Sequence, residues 1–264
     1  MSLKIILSGA TGAMCQMVYS AAKQPKWQVQ VIAGIAIEDS PNTCGDLGIY
    51  TLGNLPEALA KGAQCIVDFS HPMAVPGLLT LARQHRIPLV LCTTGLSEET
   101  QALVAAASAE IPIFQSGNMS YGINLLEHVL KQIAPRLHPH FDIEIIEKHH
   151  SRKIDAPSGT ALMLANAMIS SIPELRVQTG RSGYDNKRQP NDITLHAVRG
   201  GTIVGEHAVL FAGNRETLTL THQAESRDVF AEGALRAANF LANKGPGLYN
   251  MHNLIAEESS HGTI

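Results

Sequence analysis

The chain has 264 residues, of which 45% are hydrophobic and 16% are charged, and its formal net charge is -3. It is longer than one ordinary domain of about 100–200 residues, so two domains are expected. The apolar content excludes a charge-rich disordered chain. The nearly balanced charge argues against a protein that binds nucleic acid through wide basic surfaces.

Membrane, export and disulfide signals are missing from the sequence. No apolar run is long enough to span a bilayer, and the first residues lack the cleavage pattern of a signal peptide. The cysteines are scattered without paired spacing, which predicts reduced thiols and neither a disulfide framework nor a zinc site. We therefore expect a cytoplasmic protein with no membrane, nucleic-acid or metal partner. The cysteines are Cys15, Cys44, Cys65 and Cys92.

The first predicted elements are a strand at residues 4–8, a turn at 9–14 and a helix at 15–23. A tight turn at Gly9 followed by small side chains lets a pyrophosphate approach the backbone, and the helix start offers unpaired N–H groups to it. Thr11 and Met14 replace two glycines of the usual G-x-G-x-x-G pattern. A plain strand-to-helix turn therefore remains the alternative.

Strand and helix patterns continue to alternate up to residue 114. Strands are predicted at 27–37, 65–69, 88–92 and 111–114, and helices at 73–85 and 98–108. This alternation indicates an α/β, Rossmann-like, doubly wound parallel sheet, in which ligands bind beyond the carboxyl ends of the strands. Glu38 ends the second strand and is a candidate partner of the adenine ribose, although a solvated loop carboxylate explains it equally well. The other loops at this edge are small and polar, at 69–72, 92–95 and 115–118.

The pattern changes after residue 120 and indicates a second α+β domain with a mostly antiparallel or mixed sheet. A helix at 122–134 is expected to stop at Pro135, and 141–147 alternates as a strand with one wet face. Later segments alternate like antiparallel strands, and a closing helix follows. These segments are strands at 193–199, 205–211 and 216–222, a long polar loop at 178–191, and the helix at 229–241.

Residues 148–160 hold the densest cluster of chemically active side chains. Six titratable or cationic groups precede a helix at 161–169, for which Ser158 is the expected N-cap. Such a cluster suits a bound anion, and histidine and lysine suit a proton donor. Gly159 and Thr160 could bind a carboxylate at the helix start. A solvated basic loop is the alternative. Adjacent His149 and His150 do not have zinc-ligand spacing, and Ser158 beside the histidines gives only slight support for a nucleophile.

Residues 147–161 match the pattern E-x-H-H-x-x-K-x-D-A-P-S-G-T-A at every fixed position. With these residues the chain resembles the 4-hydroxy-tetrahydrodipicolinate reductase family, also called dihydrodipicolinate reductases. Further matching segments run nearly from end to end. They are 9–14, 68–70, 93–95, 118–124, 199–207 and 226–227.

The resemblance implies that NADH or NADPH reduces a cyclic imine with two carboxylates, giving tetrahydrodipicolinate in lysine and diaminopimelate biosynthesis. It also implies a cofactor domain at 1–120 completed by 229–264, a substrate and oligomerisation domain at 121–228, and a homotetramer. His149 would be the acid–base residue and Lys153 the proton donor. The implied substrate contacts are His150, Gly159 and Thr160. The implied cofactor contacts are Gly9, Ala10, Thr11, Gly12, Ala13, Met14, Glu38, Cys92, Thr93, Thr94, Ser116, Gly117, Asn118 and Met119.

The chain departs from the family pattern at three cofactor positions. Many members have arginines where Ala13 and Asp39 stand, and Asp39 would repel the extra phosphate of NADP, so a preference for NADH is expected. Cys92 replaces a glycine, which places a thiol near the nicotinamide or buries it at a strand end.

Two other functions remain open from the residues. One is a dehydrogenase acting on another small imine or keto acid, which leaves the cluster at 149–160 without a purpose. The other is a non-catalytic dinucleotide sensor that uses the basic loop to contact a partner protein.

Overall fold

The computed structural model describes residues 2–36, 44–184 and 186–260. Packing divides the chain into two compact units, one of Met1–Tyr121 with Asp228–Ile264 and the other of Gly122–Arg227. None of the helices in the described ranges combines the length and apolarity needed to cross a membrane.

The elements follow in chain order. The strands are β1 (Leu3–Ser8), β2 (Val29–Ile35), β3 (Ile49–Tyr50), β4 (Cys65–Asp68), β5 (Leu89–Leu91), β6 (Pro112–Gln115), β7 (Asp142–His149), β8 (Arg176–Thr179), β9 (Asp192–Arg199), β10 (Gly205–Ala212), β11 (Thr217–Ala224) and β12 (Gly247–Tyr249). The helices are α1 (Ala13–Ala22), α2 (Glu57–Gly62), α3 (Val75–His85), α4 (Glu98–Ser108), α5 (Tyr121–Leu137), α6 (Gly159–Ser171), α7 (Asp228–Leu241) and α8 (Met251–Ser260).

The first unit is built on a seven-stranded sheet of order β12-β6-β5-β4-β1-β2-β3, and every pair in it is parallel. Alternate side chains of its strands enter two different cores. Ile5 and Leu7 of β1 pack in the core that includes α1 and α7, while Ile6 packs in the core of α3 and α4. A strand that is apolar on both faces forms this kind of sheet because helices cover both sides. The predicted doubly wound parallel sheet is confirmed.

Chain order reverses between β1 and β4. From β1 the chain continues to β2 and β3 on one side, whereas β4, β5 and β6 extend on the other. Loops after β1 and β4 therefore diverge and leave a crevice at the carboxyl ends of these strands. This is where ligands bind in open parallel sheets.

Several predicted boundaries differ from the structure. The second strand begins at Val29 because Pro25–Trp27 forms a short 3-10 turn, and residues 37–43 lie outside the described ranges. The expectation that Pro135 stops its helix is wrong, since α5 continues to Leu137. Proline removes one N–H donor, and this loss is small in a last turn, where few further bonds depend on it. Neither β12 nor α8 was predicted.

The second unit holds a five-stranded sheet of order β11-β10-β7-β9-β8. Here β10 pairs antiparallel with β7 and β11, whereas β9 pairs parallel with β7 and β8. The mixed sheet is confirmed, but the antiparallel pairing expected for 193–199 is wrong. Helix α6 lies between β7 and the later strands in the chain, and a helical connection permits a parallel return. Strand β8 overlaps the start of the predicted loop.

One face of this sheet carries its core. Ile143 and Ile145 of β7, Ile193 and Leu195 of β9, and apolar side chains of α5 and α6 belong to one buried cluster. Glu147 and His149 continue the same face of β7 because side chains alternate along a strand. The chemically active end of β7 therefore follows directly from its apolar part.

Replacing Gly233 of α7 with alanine is expected to destabilise the first unit strongly. A Cβ at this position would lie 1.7 Å from the carbonyl oxygen of Met119, so helix and loop must move apart. Such overpacking costs about 1–3 kcal/mol or more, which lowers the melting temperature by roughly 2–4 °C for each kcal/mol. Thermal unfolding of Gly233→Ala measures this. Gly245→Ala is the control because its added Cβ meets nothing within 4 Å.

Candidate functional site

The turn after β1 is closely packed between two other strand ends. Gly9 has a φ of +83°, and a Cβ on it would lie 2.6 Å from the carbonyl oxygen of Phe69. The N–H groups of Gly9 and Ala10 donate to the carbonyl of Ile35 at 2.9 and 3.0 Å. Only glycine combines this backbone conformation with so close an approach.

No side chain of the described residues caps the start of α1. Gly12 is the extended N-cap residue, no side-chain hydrogen bond caps the helix, and the first turn contains no acidic residue. Gly12 and Ala13 are exposed, and Thr11 is half-buried. Helix N-terminal N–H groups without a side-chain acceptor attract an anion, so this turn fits the pyrophosphate of a dinucleotide.

Two pockets lie along the carboxyl edge of the parallel sheet. One of about 210 Å³ adjoins the ends of β1 and β2. The other, of about 440 Å³, adjoins the ends of β5, β6 and β12. The first is lined by Ser8, Gly9, Ile35, Ala36, Leu52, Ser70, Met73, Ala74 and Gly77. The second is lined by Thr93, Thr94, Gly95, Leu96, Gln101, Gln115, Ser116, Gly117, Leu248, Tyr249 and Asn250.

Asp68 connects two of the loops that border the crevice. Its fully buried carboxylate accepts hydrogen bonds from the Thr93 hydroxyl at 2.6 Å and from the Ser70 N–H at 3.3 Å. Burial raises the pKa of Asp68, and the hydrogen bonds from its neighbours act in the opposite direction. The loops after β4 and β5 are therefore fixed to the same side chain.

Not every predicted cofactor residue presents its side chain to this crevice. Ala10, Cys92 and Met119 are buried in the core, and Met14 packs against the same core. Burial raises the pKa of the Cys92 thiol well above its usual value, so the thiol stays protonated. The structure therefore favours the buried strand-end reading of Cys92. Glu38, like Asp39, lies outside the described residues.

The loop after β6 is stabilised by its own polar side chains. The Ser116 hydroxyl donates to the carbonyl of Asn118 at 2.9 Å, and the Asn118 side chain accepts from the Ser120 N–H at 2.8 Å. Gly117 at the tip of the loop is exposed. The loop thus lines the larger pocket in a defined conformation.

In the second unit, Glu147 organises the cluster predicted at 148–160. Its fully buried carboxylate accepts two hydrogen bonds from Arg199, both at 2.7 Å, one from His149 Nδ1 at 2.6 Å and one from the Ser158 N–H at 3.0 Å. Burial acts to raise the pKa of Glu147, but the bonds from Arg199, His149 and Ser158 hold it below its usual value. Glu147 is therefore a carboxylate that only accepts hydrogen bonds, and His149 Nδ1 carries a proton.

His149 is buried with its ring fixed on two sides. Burial lowers its pKa, and the charges of Lys153 and Arg199 add to this effect, while Glu147 opposes it. The His149 ring meets the His207 ring edge-on with centroids 5.2 Å apart. Gly205 leaves room for the other nitrogen, since a Cβ there would lie 3.2 Å from His149 Nε2. The imidazole is neutral at neutral pH, so its Nε2 can accept a proton.

His207 and Ser158 connect this ring to the start of α6. The Ser158 hydroxyl accepts from the Ala161 N–H at 3.1 Å, which confirms the predicted N-cap, and it lies 3.0 Å from His207 Nε2. Burial lowers the pKa of His207 to about 4, so this ring is neutral. The neutral His207 ring therefore adds no charge at the start of α6.

The remaining predicted substrate residues lie next along the chain. Gly159 begins α6 and is exposed, and Thr160 is half-buried. His150 is also half-buried, and its Nδ1 has no hydrogen-bond partner within the described part of the chain. Lys153 pairs with Asp155 at 2.8 Å. His149, His150, Lys153, Gly159 and Thr160 thus lie along one short segment between the end of β7 and the start of α6, as their positions in the sequence require.

Some residues of the cluster had been given no role from the sequence. Glu147 lies two positions before His149, so the strand period already placed both on one face. Arg199 and His207 come from β9 and β10, and only the sheet register brings them to Glu147. Asp68 belongs to the matching segment 68–70, but neither its place at the end of a strand nor that match indicated its hydrogen bond to Thr93.

No group of three or more histidine, cysteine or acidic residues among the described residues is arranged to hold a metal ion.

The parallel sheet with its crevice and the cluster around Glu147 define a dinucleotide-binding oxidoreductase of two units.

Comparison with known proteins identifies the family. Models described as "Dihydrodipicolinate reductase, N-terminus" and "Dihydrodipicolinate reductase, C-terminus" match residues 3–119 and 122–255. The chain belongs to the dihydrodipicolinate reductase family. The C-terminal match includes residues 228–255, which pack with the first unit in this structure.

Two similar relatives are 4-hydroxy-tetrahydrodipicolinate reductases. That of Caldanaerobacter subterraneus subsp. tengcongensis is 47% identical over 97% of this chain and 99% of its own length. That of Clostridium botulinum is 43% identical over 96% and 98%. Among solved structures, dipicolinate-bound dihydrodipicolinate reductase from Paenisporosarcina sp. TG-14 has a TM-score of 0.77 at 22% identity, over 95% of this chain and 98% of that one.

Proposed function

We propose that the protein reduces 4-hydroxy-tetrahydrodipicolinate to tetrahydrodipicolinate with a nicotinamide cofactor, a step of lysine and diaminopimelate biosynthesis. The observation that carries the proposal is the cluster around Glu147, in which two histidines and a lysine precede the start of α6. Curated relatives of nearly the same length are reductases of this name, and a solved relative binds dipicolinate, a dicarboxylate.

The cofactor is assigned to the carboxyl edge of the parallel sheet. The pyrophosphate would accept hydrogen bonds at the start of α1, between Gly9 and Met14, because no side chain in the described ranges caps this helix end. The smaller pocket suits the adenosine part and the larger pocket the nicotinamide part. The larger pocket contains four of the cofactor contacts expected from the family, Thr93, Thr94, Ser116 and Gly117.

The substrate carboxylates are assigned to the segment from His150 to Thr160. The first N–H groups of α6, the Thr160 hydroxyl and the His150 ring are donors that suit a carboxylate. Each charge-assisted hydrogen bond contributes roughly 1.5–3 kcal/mol. A ligand with two carboxylates therefore gains both affinity and a defined orientation here.

The proton chemistry is assigned to His149 and Lys153. Loss of the 4-hydroxyl group as water gives the conjugated dihydrodipicolinate ring, to which a bound reduced nicotinamide would supply a hydride, leaving negative charge on the ring. Lys153 stabilises that charge and gives a proton to the ring. The His149 imidazole stays neutral beside Lys153. Glu147 holds this imidazole in the tautomer with a proton on Nδ1, so its Nε2 serves as the acid–base atom.

An assay of both reductants tests the function and the cofactor preference together. The expected result is oxidation of NADH, followed by absorbance, that depends on freshly made 4-hydroxy-tetrahydrodipicolinate. A protein that binds NADH without turnover, or that turns over only other imines or keto acids, contradicts the proposed function.

The same assay is expected to give kcat/KM for NADH equal to or above that for NADPH. Asp39 opposes a second phosphate, and no described residue that lines the smaller pocket is a cation. Asp39→Arg is expected to shift the ratio toward NADPH by roughly tenfold or more, the effect of one charged contact. A strong NADPH preference of the unaltered protein contradicts this assignment.

We also assign a homotetrameric assembly in the cytoplasm. The face of β7 opposite the core carries Ile146 between Glu144 and Lys148, and the adjacent strands place the half-buried or exposed Val198 and Leu210 on the same face. We assign this face, with its apolar side chains and paired charges such as Lys148 with Glu206, to contact with further protomers. The four cysteines are free, which suits a reducing compartment. Light scattering should give about four times the 28.3 kDa of one chain.

A further inference from the structure

Lys153, the cation assigned to the substrate ring, forms an ion pair with a carboxylate of the chain itself. Lys153 Nζ lies 2.8 Å from Asp155 Oδ1, and the side chains of the two residues are 23% and 57% exposed. The acceptor thus stands at the surface, while the lysine lies mostly within the site. A carboxylate so exposed can move away at little cost.

The backbone around Asp155 is held firmly although its side chain is exposed. Arg199, which binds Glu147, also donates to the carbonyl of Asp155 at 2.6 Å. The Lys153 N–H donates to the carbonyl of His150 at 3.1 Å. The loop that carries Lys153 and Asp155 is therefore attached to the same buried hub as His149. Its exposed side chains can rearrange without loss of the loop conformation.

The Asp155 carboxylate also faces the start of α6. A hydrogen bond from Lys153 is the largest cause of its lowered pKa, and the backbone N–H groups of Asp155 and Gly159 add to the effect. Asp155 is ionised and engages the Lys153 ammonium. This ammonium is assigned above to the substrate ring, and the start of α6 is assigned to a substrate carboxylate.

We propose that Asp155 occupies, in the free enzyme, the place of one substrate carboxylate and moves away when the substrate binds. This inference rests on the proposed function. A bound dicarboxylate must displace Asp155 from Lys153, and the loss of that ion pair offsets part of the affinity. Asp155 therefore lowers the affinity for the substrate and its product, and keeps the cations of the empty site neutralised.

Calorimetric titration with pyridine-2,6-dicarboxylate tests the role of Asp155. Asp155→Asn is expected to bind this ligand about five- to tenfold more tightly than the unaltered protein, since the competing charge is gone. Asp155→Glu restores a carboxylate and is expected to return the affinity toward the original value. A purely structural role of Asp155 predicts weaker binding in both variants.

Glu216→Gln is the matched control. It removes the same charge from an exposed side chain beyond the end of β10 that is opposite to Gly205 and the His149 ring. Its affinity is expected to be unchanged. Equal or weaker binding by Asp155→Asn, with normal binding by the unaltered protein, overturns the inference. Failure of the unaltered protein to bind the dicarboxylate overturns the proposed function itself, and the two results are therefore distinct.

Discussion

Replacing His149 with glutamine is expected to lower kcat by about 10²–10⁴-fold, the usual contribution of a positioned acid–base group. Glutamine retains a donor for Glu147 and a similar size, so the hydrogen bond of 2.6 Å to that carboxylate has a replacement. It cannot take up and release a proton at the other end of the side chain. KM for the substrate should change far less than kcat.

Steady-state kinetics across pH give a second measure of this variant. Burial lowers the pKa of His149, so its imidazole takes up a proton only at a pH below the ordinary histidine range. The part of the pH profile that comes from this titration should be absent from His149→Gln. His140→Gln, which changes an exposed histidine of the same unit, serves as control. Unchanged turnover in His149→Gln contradicts its assignment.

Replacing Lys153 with alanine is expected to lower kcat by a similar factor, about 10²–10⁴-fold, because the group assigned to protonate the ring is removed. The side chain is mostly buried in the site and bears the positive charge that stabilises the developing negative charge. KM should rise as well, since the ammonium also attracts a dianionic substrate. The melting temperature should stay nearly the same, because Lys153 contributes no apolar packing to the core.

Arg152→Ala is the matched control for Lys153→Ala. Arg152 precedes Lys153, is exposed, and makes no hydrogen bond or ion pair with any described residue. Its removal takes the same charge from the same loop, so an effect of net charge alone would appear in both variants. Equal losses in the two variants would show that Lys153 acts through general electrostatics and not as the proton donor.

The local patterns of the sequence predicted most of the architecture. Apolar runs such as residues 4–8, each followed by a helical pattern, predicted parallel strands because both of their faces require cover. Ser158 was predicted as a cap from its residue type and place alone, and its hydroxyl accepts from the Ala161 N–H. These features depend on residues a few positions apart, so they can be recognised from the sequence.

Features that depend on distant residues were not predictable in the same way. Apolar and polar residues alternate along β9 as in an antiparallel strand, yet β9 pairs with β7 in parallel. Such alternation indicates which face of a strand is exposed to solvent, but it does not indicate the direction of the strand. The partners of Glu147 illustrate this for the site. Arg199 reaches it from 52 positions away, and His207 lies beside it only through the register of β10.

The most direct test of the central claim is a crystal structure of the protein with a nicotinamide cofactor and pyridine-2,6-dicarboxylate. The account predicts one ligand carboxylate at the start of α6, within about 2.7–3.2 Å of the Gly159 N–H and the Thr160 hydroxyl, with Lys153 released from Asp155 and directed to the ring. A ligand bound elsewhere, with residues 149–153 in contact only with solvent, would contradict it.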